Sequence, residues 1–324
     1  MTHAIRFHKT GGPEVLVWEE VNLGKPGRGE ARIRHTAVGL NFVDIYNRSG
    51  VYPIALPSGL GGEGAGVVEE VGEGVADFKS GDRVAYGAAP LGAYAEARLI
   101  PAERLLKLPD GIDDKTAAAM MLKGLTVQYL IRQTYRVKPG DAILLHAAAG
   151  GVGLILSQWA KHLGATVIGT VGNDEKASLA KAHGCAHTIV YTREDFVKRV
   201  DEITGGKKVP VVYDSVGKDT FLKSLDCLAP LGVAALFGQS SGGVEPLNLG
   251  LLAQKGSLYV TRPTLNTYAA KTENLRAMAR ELFDVVLSGM VKINVHQTYP
   301  LKDAAKAHAD LAARKTTGST VFLV

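Results

Sequence analysis

Cysteine is scarce in this chain: only Cys185 and Cys227 occur among 324 residues. Two thiols cannot build a disulfide framework, and their spacing matches no metal-binding pattern. Both are expected to be small buried apolar side chains. No apolar run approaches the ~18 residues that a membrane-spanning helix needs. The N-terminus lacks a signal-peptide pattern, so the cytoplasm is the expected compartment. No block of Lys and Arg is present, although the net charge is +5. That mild excess suits an anionic small molecule as well as a nucleic acid, and alone argues for neither. Low-complexity tracts and fixed-period repeats are missing too. What remains is an ordinary globular composition, 46% hydrophobic. It is longer than one hydrophobic core usually supports, so two domains are expected.

The most informative stretch runs from Gly140 to Gly164. Ala142 to His146 is a short apolar run suited to a buried strand. It breaks into Ala147-Ala148-Ala149-Gly150-Gly151-Val152-Gly153, and Leu154 to Leu163 then reads as a helix closed by Gly164. Strand, small-residue turn and helix in immediate succession are what a dinucleotide pyrophosphate requires. Glycine at 150 and 153 keeps Cβ atoms away from the phosphate oxygens. The helix start offers unpaired N–H groups and the positive end of its dipole. The pattern carries Ala148 where the first glycine of the fingerprint usually stands.

Residues 1 to about 123 lack strand–helix alternation. Short β-type runs at 5–7, 31–34, 66–71, 84–86 and 94–99 are punctuated by glycine turns, which predicts a partly open β-barrel. A helix is expected over 117–135, ending before Lys138-Pro139-Gly140. Beyond it, strands at 142–146, 166–171, 187–191, 210–214, 233–238 and 257–262 alternate with helices at 154–163, 174–183, 193–204 and 220–229. Thr192 with Asp195 suggests a capping box for the third helix. The alternation predicts a doubly wound parallel sheet. After Pro263 come a helix over 273–288, a strand over 292–295, a helix over 301–313 and a strand over 320–324. This tail does not extend the alternation and is expected to complete the first domain.

Sites selective for NAD place an acidic side chain at the end of the second strand, on the ribose 2′-hydroxyl. Here that strand ends Thr170-Val171-Gly172, and Gly172 offers no carboxylate. Lys176 follows in the first turn of the next helix, where it suits a 2′-phosphate better than it suits the helix dipole. NADPH is therefore the expected cofactor, with Asp174 or Glu175 on the ribose as the alternative. His146 is more simply a packed strand residue than a ligand or an acid.

Several motifs resemble the quinone oxidoreductase and zeta-crystallin family. Gly140-Asp141, Leu144, Ala148-Ala149-Gly150-Gly151, Gly153, Gln158 and Lys161 reproduce the spacing of its signature. Asn41-Phe42-Val43-Asp44 with Tyr46, Gly50-Val51-Tyr52-Pro53 and Gly61-Gly62-Glu63-Gly64-Ala65-Gly66 are similar to its catalytic-domain motifs. Leu122-Lys123-Gly124-Leu125-Thr126 and Phe237-Gly238-Gln239-Ser240-Ser241-Gly242 match as well. The resemblance covers the whole chain and is strongest to bacterial NADPH:quinone reductases. It implies a zinc-free medium-chain dehydrogenase/reductase. A GroES-like catalytic domain (1–124 and 264–324) would enclose a Rossmann domain (125–263), with the active site in the cleft.

By the same resemblance, Asn41, Tyr46, Ser240, Tyr52 and Thr126 would meet the nicotinamide side. Gly151 and Val152 would meet the phosphates, and Gly172, Lys176, Tyr191 and Arg314 the adenosine 2′-phosphate. Ser215, Phe237, Gly238, Arg262 and Pro263 complete the implied cofactor contacts. Unaided, Arg314 reads as a helix-terminal surface charge. Zinc-dependent alcohol dehydrogenases have metal ligands where this chain has Asn41 and Gly62, and a structural-zinc cysteine cluster is absent, so no metal is expected.

Without a Lewis acid, hydride transfer to an electron-poor quinone asks least of the protein. Asn41 or a tyrosine would then hydrogen-bond the developing oxyanion. Tyr46 and Tyr52 are candidate acids, or else packing walls. The alternatives are reduction of an enone or enoyl thioester and, from another class, binding of single-stranded RNA. No stacking-aromatic motif supports the RNA reading. The resemblance also implies a homodimer joined through the edge strand 257–261.

Overall fold

The computed structural model describes residues 2–88 and 90–324. They form two compact units. One lies within the first 125 residues and takes in Tyr268–Leu287 and Ile293–Val324; the other comprises Thr126–Thr267 and Ser288–Lys292. The sequence reading assigned all of 264–324 to the first domain, whereas residues 264–267 and 288–292 pack with the second unit. No helix among the described residues is long and apolar enough to cross a membrane.

The second unit is a six-stranded parallel sheet. Its strands follow in the order Cys185–Val190, Thr166–Val171, Ala142–Leu145, Val209–Asp214, Leu228–Leu236 and Tyr259–Thr261. Numbered along the chain this is 3-2-1-4-5-6, the doubly wound dinucleotide-binding order. Ile143, Leu144 and Leu145 are fully buried on successive faces, as a central parallel strand requires. Gly169 lets the sheet and the glycine turn approach closely, because a Cβ there would lie 2.6 Å from the Ala148 side chain.

Two local expectations fail. Residues 220–229 form one short helix, Phe221–Ser224, and a 3-10 turn, because the chain already extends as a strand from Leu228. The helix Phe196–Thr204 is capped by Asp195, whose carboxylate accepts from Val197 N–H at 2.9 Å. Thr192 takes no part in that cap and donates instead to the Gly172 carbonyl at 3.2 Å.

The first unit holds a three-stranded sheet (Val17–Val21, Thr2–Phe7, Ser58–Gly59) and a seven-stranded one. The long strand Glu30–Leu40 organises the latter. Ala31, Ile33, His35 and Ala37 are buried, while Arg32 and Arg34 face outward onto Glu69. The C-terminal strand Ser319–Leu323 pairs antiparallel with it, Thr320 opposite Leu40 and Leu323 opposite Ala37. The strand expected at 292–295 lies at Val295–Pro300 and runs parallel to this last strand. The helix Phe42–Ser49 has no counterpart in the sequence reading. It starts at Asn41 in extended conformation and ends at Gly50 with φ 81°, a left-handed cap. The helix Asp114–Tyr129 carries the chain from the first unit into the second.

Candidate active site

In the second unit, the glycine turn leaves the strand Ala142–Leu145 through His146 and Ala147, the latter at φ 55°. Gly150 N–H closes the turn onto the Ala147 carbonyl at 2.9 Å, and the helix Gly151–His162 begins. No side chain caps this helix and no acid stands in its first turn. Its leading N–H groups thus face outward with the positive dipole end behind them.

The two signature glycines differ in what they do. A Cβ at Gly153 would lie 2.5 Å from the carbonyl oxygens of both Ala147 and Ala148, so the turn itself demands glycine there. Gly150 has an ordinary extended backbone, φ −82° and ψ 172°. Its nearest neighbour to a Cβ would be the Ala147 carbonyl oxygen at 3.3 Å. The fold needs glycine at 150 far less than at 153. A cradle kept bare beside an uncapped helix start fits a pyrophosphate.

Gly172 lies against Tyr191, whose hydroxyl would be 3.3 Å from a Cβ at that position. Asn173 caps the next helix by accepting from Lys176 N–H at 2.9 Å, which fixes Lys176 in its first turn. Asp174, the acid nearest the strand end, is bound by the Arg193 guanidinium, with Nη1 at 2.7 Å. That guanidinium holds the Asp174 carboxyl below its usual range. Arg314 belongs to the first unit, at φ 58° just beyond the helix Ala304–Ala312, and is exposed.

The loop after Leu228–Leu236 brings Ser215, Phe237, Gly238 and Ser240 together. Phe237 N–H donates to Asp214 O at 2.8 Å and Ser240 N–H to Ser215 O at 3.1 Å. A Cβ at Gly238 would lie 2.6 Å from the Ser215 carbonyl oxygen, so the two segments meet through glycine. Arg262, followed by Pro263, anchors to the Leu236 carbonyl at 2.8 Å. Thr126 is buried in the long helix.

His146 is a packed strand residue. Its ring nitrogens bond Thr170 Oγ1 at 2.8 Å and Ser224 Oγ at 2.9 Å. Asp214 accepts from the Val216 and Gly217 N–H groups and from the Thr220 hydroxyl. Burial holds the His146 pKa below its ordinary value, against the pull of Asp214.

In the first unit, Asn41 heads the helix Phe42–Ser49 in a capping box with Asp44, whose Oδ2 accepts the Asn41 N–H at 2.8 Å. Asn41 Nδ2 donates to Glu63 Oε2 at 2.7 Å. Glu63 is fully buried; its Oε2 also meets Lys123 Nζ at 3.0 Å, and its Oε1 accepts Leu122 N–H at 2.8 Å. Tyr46 and Tyr52 stand edge to face with ring centroids 5.3 Å apart.

Behind them runs a buried relay. Arg48 donates to His308 Nδ1 at 3.2 Å, His308 Nε2 meets the Tyr94 hydroxyl at 3.1 Å, and Tyr94 donates to Asp44 Oδ2 at 2.9 Å. Asp44 Oδ1 is buried without a partner among the described residues. Burial pushes the Asp44 carboxyl up to about 7 and His308 down to about 3. Sequence reasoning assigned no role to Glu63, Lys123, Asp44, Tyr94 or His308. The available signal was a lone charge inside an apolar or glycine-rich run, as at Glu63 and Lys123.

A glycine turn on a 3-2-1-4-5-6 sheet in the second unit, with a first unit built from both ends of the chain, defines a nicotinamide-dependent dehydrogenase/reductase of the medium-chain type. Residues 27–110 match the family model "Alcohol dehydrogenase GroES-like domain" and 151–284 match "Zinc-binding dehydrogenase". A quinone oxidoreductase of Pseudomonas aeruginosa is 58% identical over 324 residues, covering 100% of both chains. The crystal structure of Escherichia coli quinone oxidoreductase complexed with NADPH superposes with a TM-score of 0.98 at 52% identity, covering 99% of this chain and 100% of that one. A 2-haloacrylate reductase of Burkholderia sp is 51% identical, covering 100% of this chain and 99% of its own. The chain belongs to the quinone oxidoreductase family.

The zinc in the name of one family model does not fit this donor set. Asn41 is committed to Glu63 and Gly62 has no side chain. Both thiols are buried in the second unit, Cys185 pushed up to about 11 and Cys227 to about 12 by burial. A high thiol pKa disfavours the thiolate that zinc requires.

Proposed function

We propose that this protein reduces quinones with NADPH and without a metal ion. The observation that carries the cofactor choice is the pairing of Asp174 with Arg193 at a strand end that otherwise offers Gly172, Tyr191 and Lys176. With the nearest acid engaged, the site favours an anion over a ribose hydroxyl. In this reading Gly150, Gly151, Val152 and Gly153 hold the pyrophosphate, and Gly172, Lys176, Tyr191 and Arg314 hold the 2′-phosphate. Ser215, Phe237, Gly238, Ser240, Arg262, Pro263 and Thr126 line the rest of the cofactor, with Asn41, Tyr46 and Tyr52 at its reactive end.

Bound NADPH supplies the hydride. The chain's own work is orientation: Asn41 donates to the oxygen on which charge develops, and the edge-to-face Tyr46 and Tyr52 rings exclude water. The aromatic oxyanion so formed is stabilised by its ring and takes its proton from solvent. Likeness to full-length quinone oxidoreductases supports the quinone as acceptor.

A second acceptor class, an activated carbon–carbon double bond, is favoured by the 51% identity to a 2-haloacrylate reductase. Purified protein should consume NADPH with 1,4-benzoquinone faster than with 2-chloroacrylate. Turnover with the acrylate alone would exchange the two readings. The same proposal places the enzyme in the cytoplasm as a homodimer joined at the edge strand Tyr259–Thr261, whose Tyr259 is 60% exposed.

A further inference from the structure

We propose that Glu63, held by Lys123, is the positioning residue that sets the polarity of the Asn41 amide. The inference rests on the reading above, in which Asn41 touches the reacting ligands. Three donors converge on the Glu63 carboxylate: Asn41 Nδ2 at 2.7 Å, Lys123 Nζ at 3.0 Å and Leu122 N–H at 2.8 Å. The fold makes room for it, because a Cβ on Gly39 would fall onto Glu63 Oε2 and the Ala118 carbonyl oxygen.

An asparagine amide can face either way, and at a neutral partner the two orientations compete. Against a carboxylate they do not. Turning the amide oxygen toward Glu63 would oppose two acceptors in a site from which water is excluded, so the nitrogen must face inward. That nitrogen carries two protons and Glu63 takes one. The other remains for a ligand, and its orientation is fixed before any ligand arrives. Lys123 sets its ammonium against this fully buried side chain, at 3.0 Å from Oε2. With the capping box holding the Asn41 side chain to the Asp44 N–H on its other side, the Glu63–Lys123 pair makes Asn41 a preorganised donor for a developing oxyanion.

Glu63→Gln keeps the volume but has one acceptor where the carboxylate has two. If its oxygen serves Leu122 N–H, its NH2 faces Asn41, which must then turn its own oxygen inward. Glu63→Gln is expected to lower kcat for benzoquinone reduction at least tenfold, the scale on which single oxyanion donors act. In an Asn41→Ala background the same change should have almost no further effect. A merely structural Glu63 would instead cost the same in both backgrounds, which would overturn the proposal.

A readout without turnover is the side-chain NH2 signal of Asn41 in the ligand-free protein. Wild type should show one strongly downfield proton that Glu63→Gln abolishes, and an unchanged signal would equally overturn the inference. Should the Gln variant fail to fold, Glu63→Asp serves for both measurements, since it keeps the charge and withdraws it from Asn41. Wild-type turnover in Asn41→Ala alone would count against the reading of Asn41, while the NH2 signal would still decide the role of Glu63.

Discussion

Lys176 and Arg314 are the two cations assigned to the adenosine 2′-phosphate. A charge-assisted hydrogen bond contributes about 1.5–3 kcal/mol, so losing one weakens binding about tenfold to over a hundredfold. Lys176→Ala and Arg314→Ala should each raise the Kd for NADPH by that factor and leave NADH nearly unchanged, as read by fluorescence titration. Asp44 supports a different prediction. Its folded pKa of about 7 lies above the ordinary carboxylate value of 3.8. The folded state therefore binds a proton that the unfolded chain releases, and Asp44 favours folding in acid and loses that contribution as pH rises through 7. His35 and His308, each lowered to about 3, act oppositely and cost stability below pH 6.5. Asp44→Asn removes the acid-side compensation. Between pH 7 and pH 5 the variant should lose about 2 kcal/mol more unfolding free energy than wild type in parallel denaturant titrations. Equal losses would contradict the Asp44 assignment.

At the scale of elements, the turn between strand and helix separates structural glycine from functional glycine. Gly150→Ala meets only a 3.3 Å contact with the Ala147 carbonyl oxygen, so the fold should survive with a melting temperature within a few degrees of wild type. The added methyl would stand in the proposed phosphate cradle and should raise the NADPH Kd about tenfold or more. Gly153→Ala should instead destabilise the unit, because its Cβ would meet two carbonyl oxygens at 2.5 Å. Calorimetry beside a cofactor titration distinguishes the two.

This turn and the parallel strands were legible because a strand buried on both faces is a continuous apolar run and its crossovers are helical. The helix Phe42–Ser49 was not. Its eight residues are one short amphipathic segment among strands, and the one start signal it carries is a local capping box of Asn41 with Asp44 three positions on. The Asp44–Tyr94–His308–Arg48 relay was hidden because its bonded members lie up to 260 positions apart, and only the closing of the chain ends into one unit joins them.

At the scale of the whole molecule, the edge strand Tyr259–Thr261 pairs with Leu228–Leu236 on one side, with Val260 39% exposed and Tyr259 60% exposed. An edge rich in β-formers invites pairing with a second copy. Light scattering at micromolar concentration should give twice the 34.3 kDa chain mass, and a stable single-chain mass would rule the dimer out.

The central claim is metal-free quinone reduction selective for NADPH, and one measurement tests it most directly. Wild-type protein, exhaustively chelated and checked for zinc, is assayed with 1,4-benzoquinone against NADPH and against NADH. The account predicts full activity after chelation and a kcat/KM for NADPH about a hundredfold above that for NADH, near the upper end of what one phosphate contact supplies. Equal use of NADH, or activity that falls and returns with stoichiometric zinc, would contradict it.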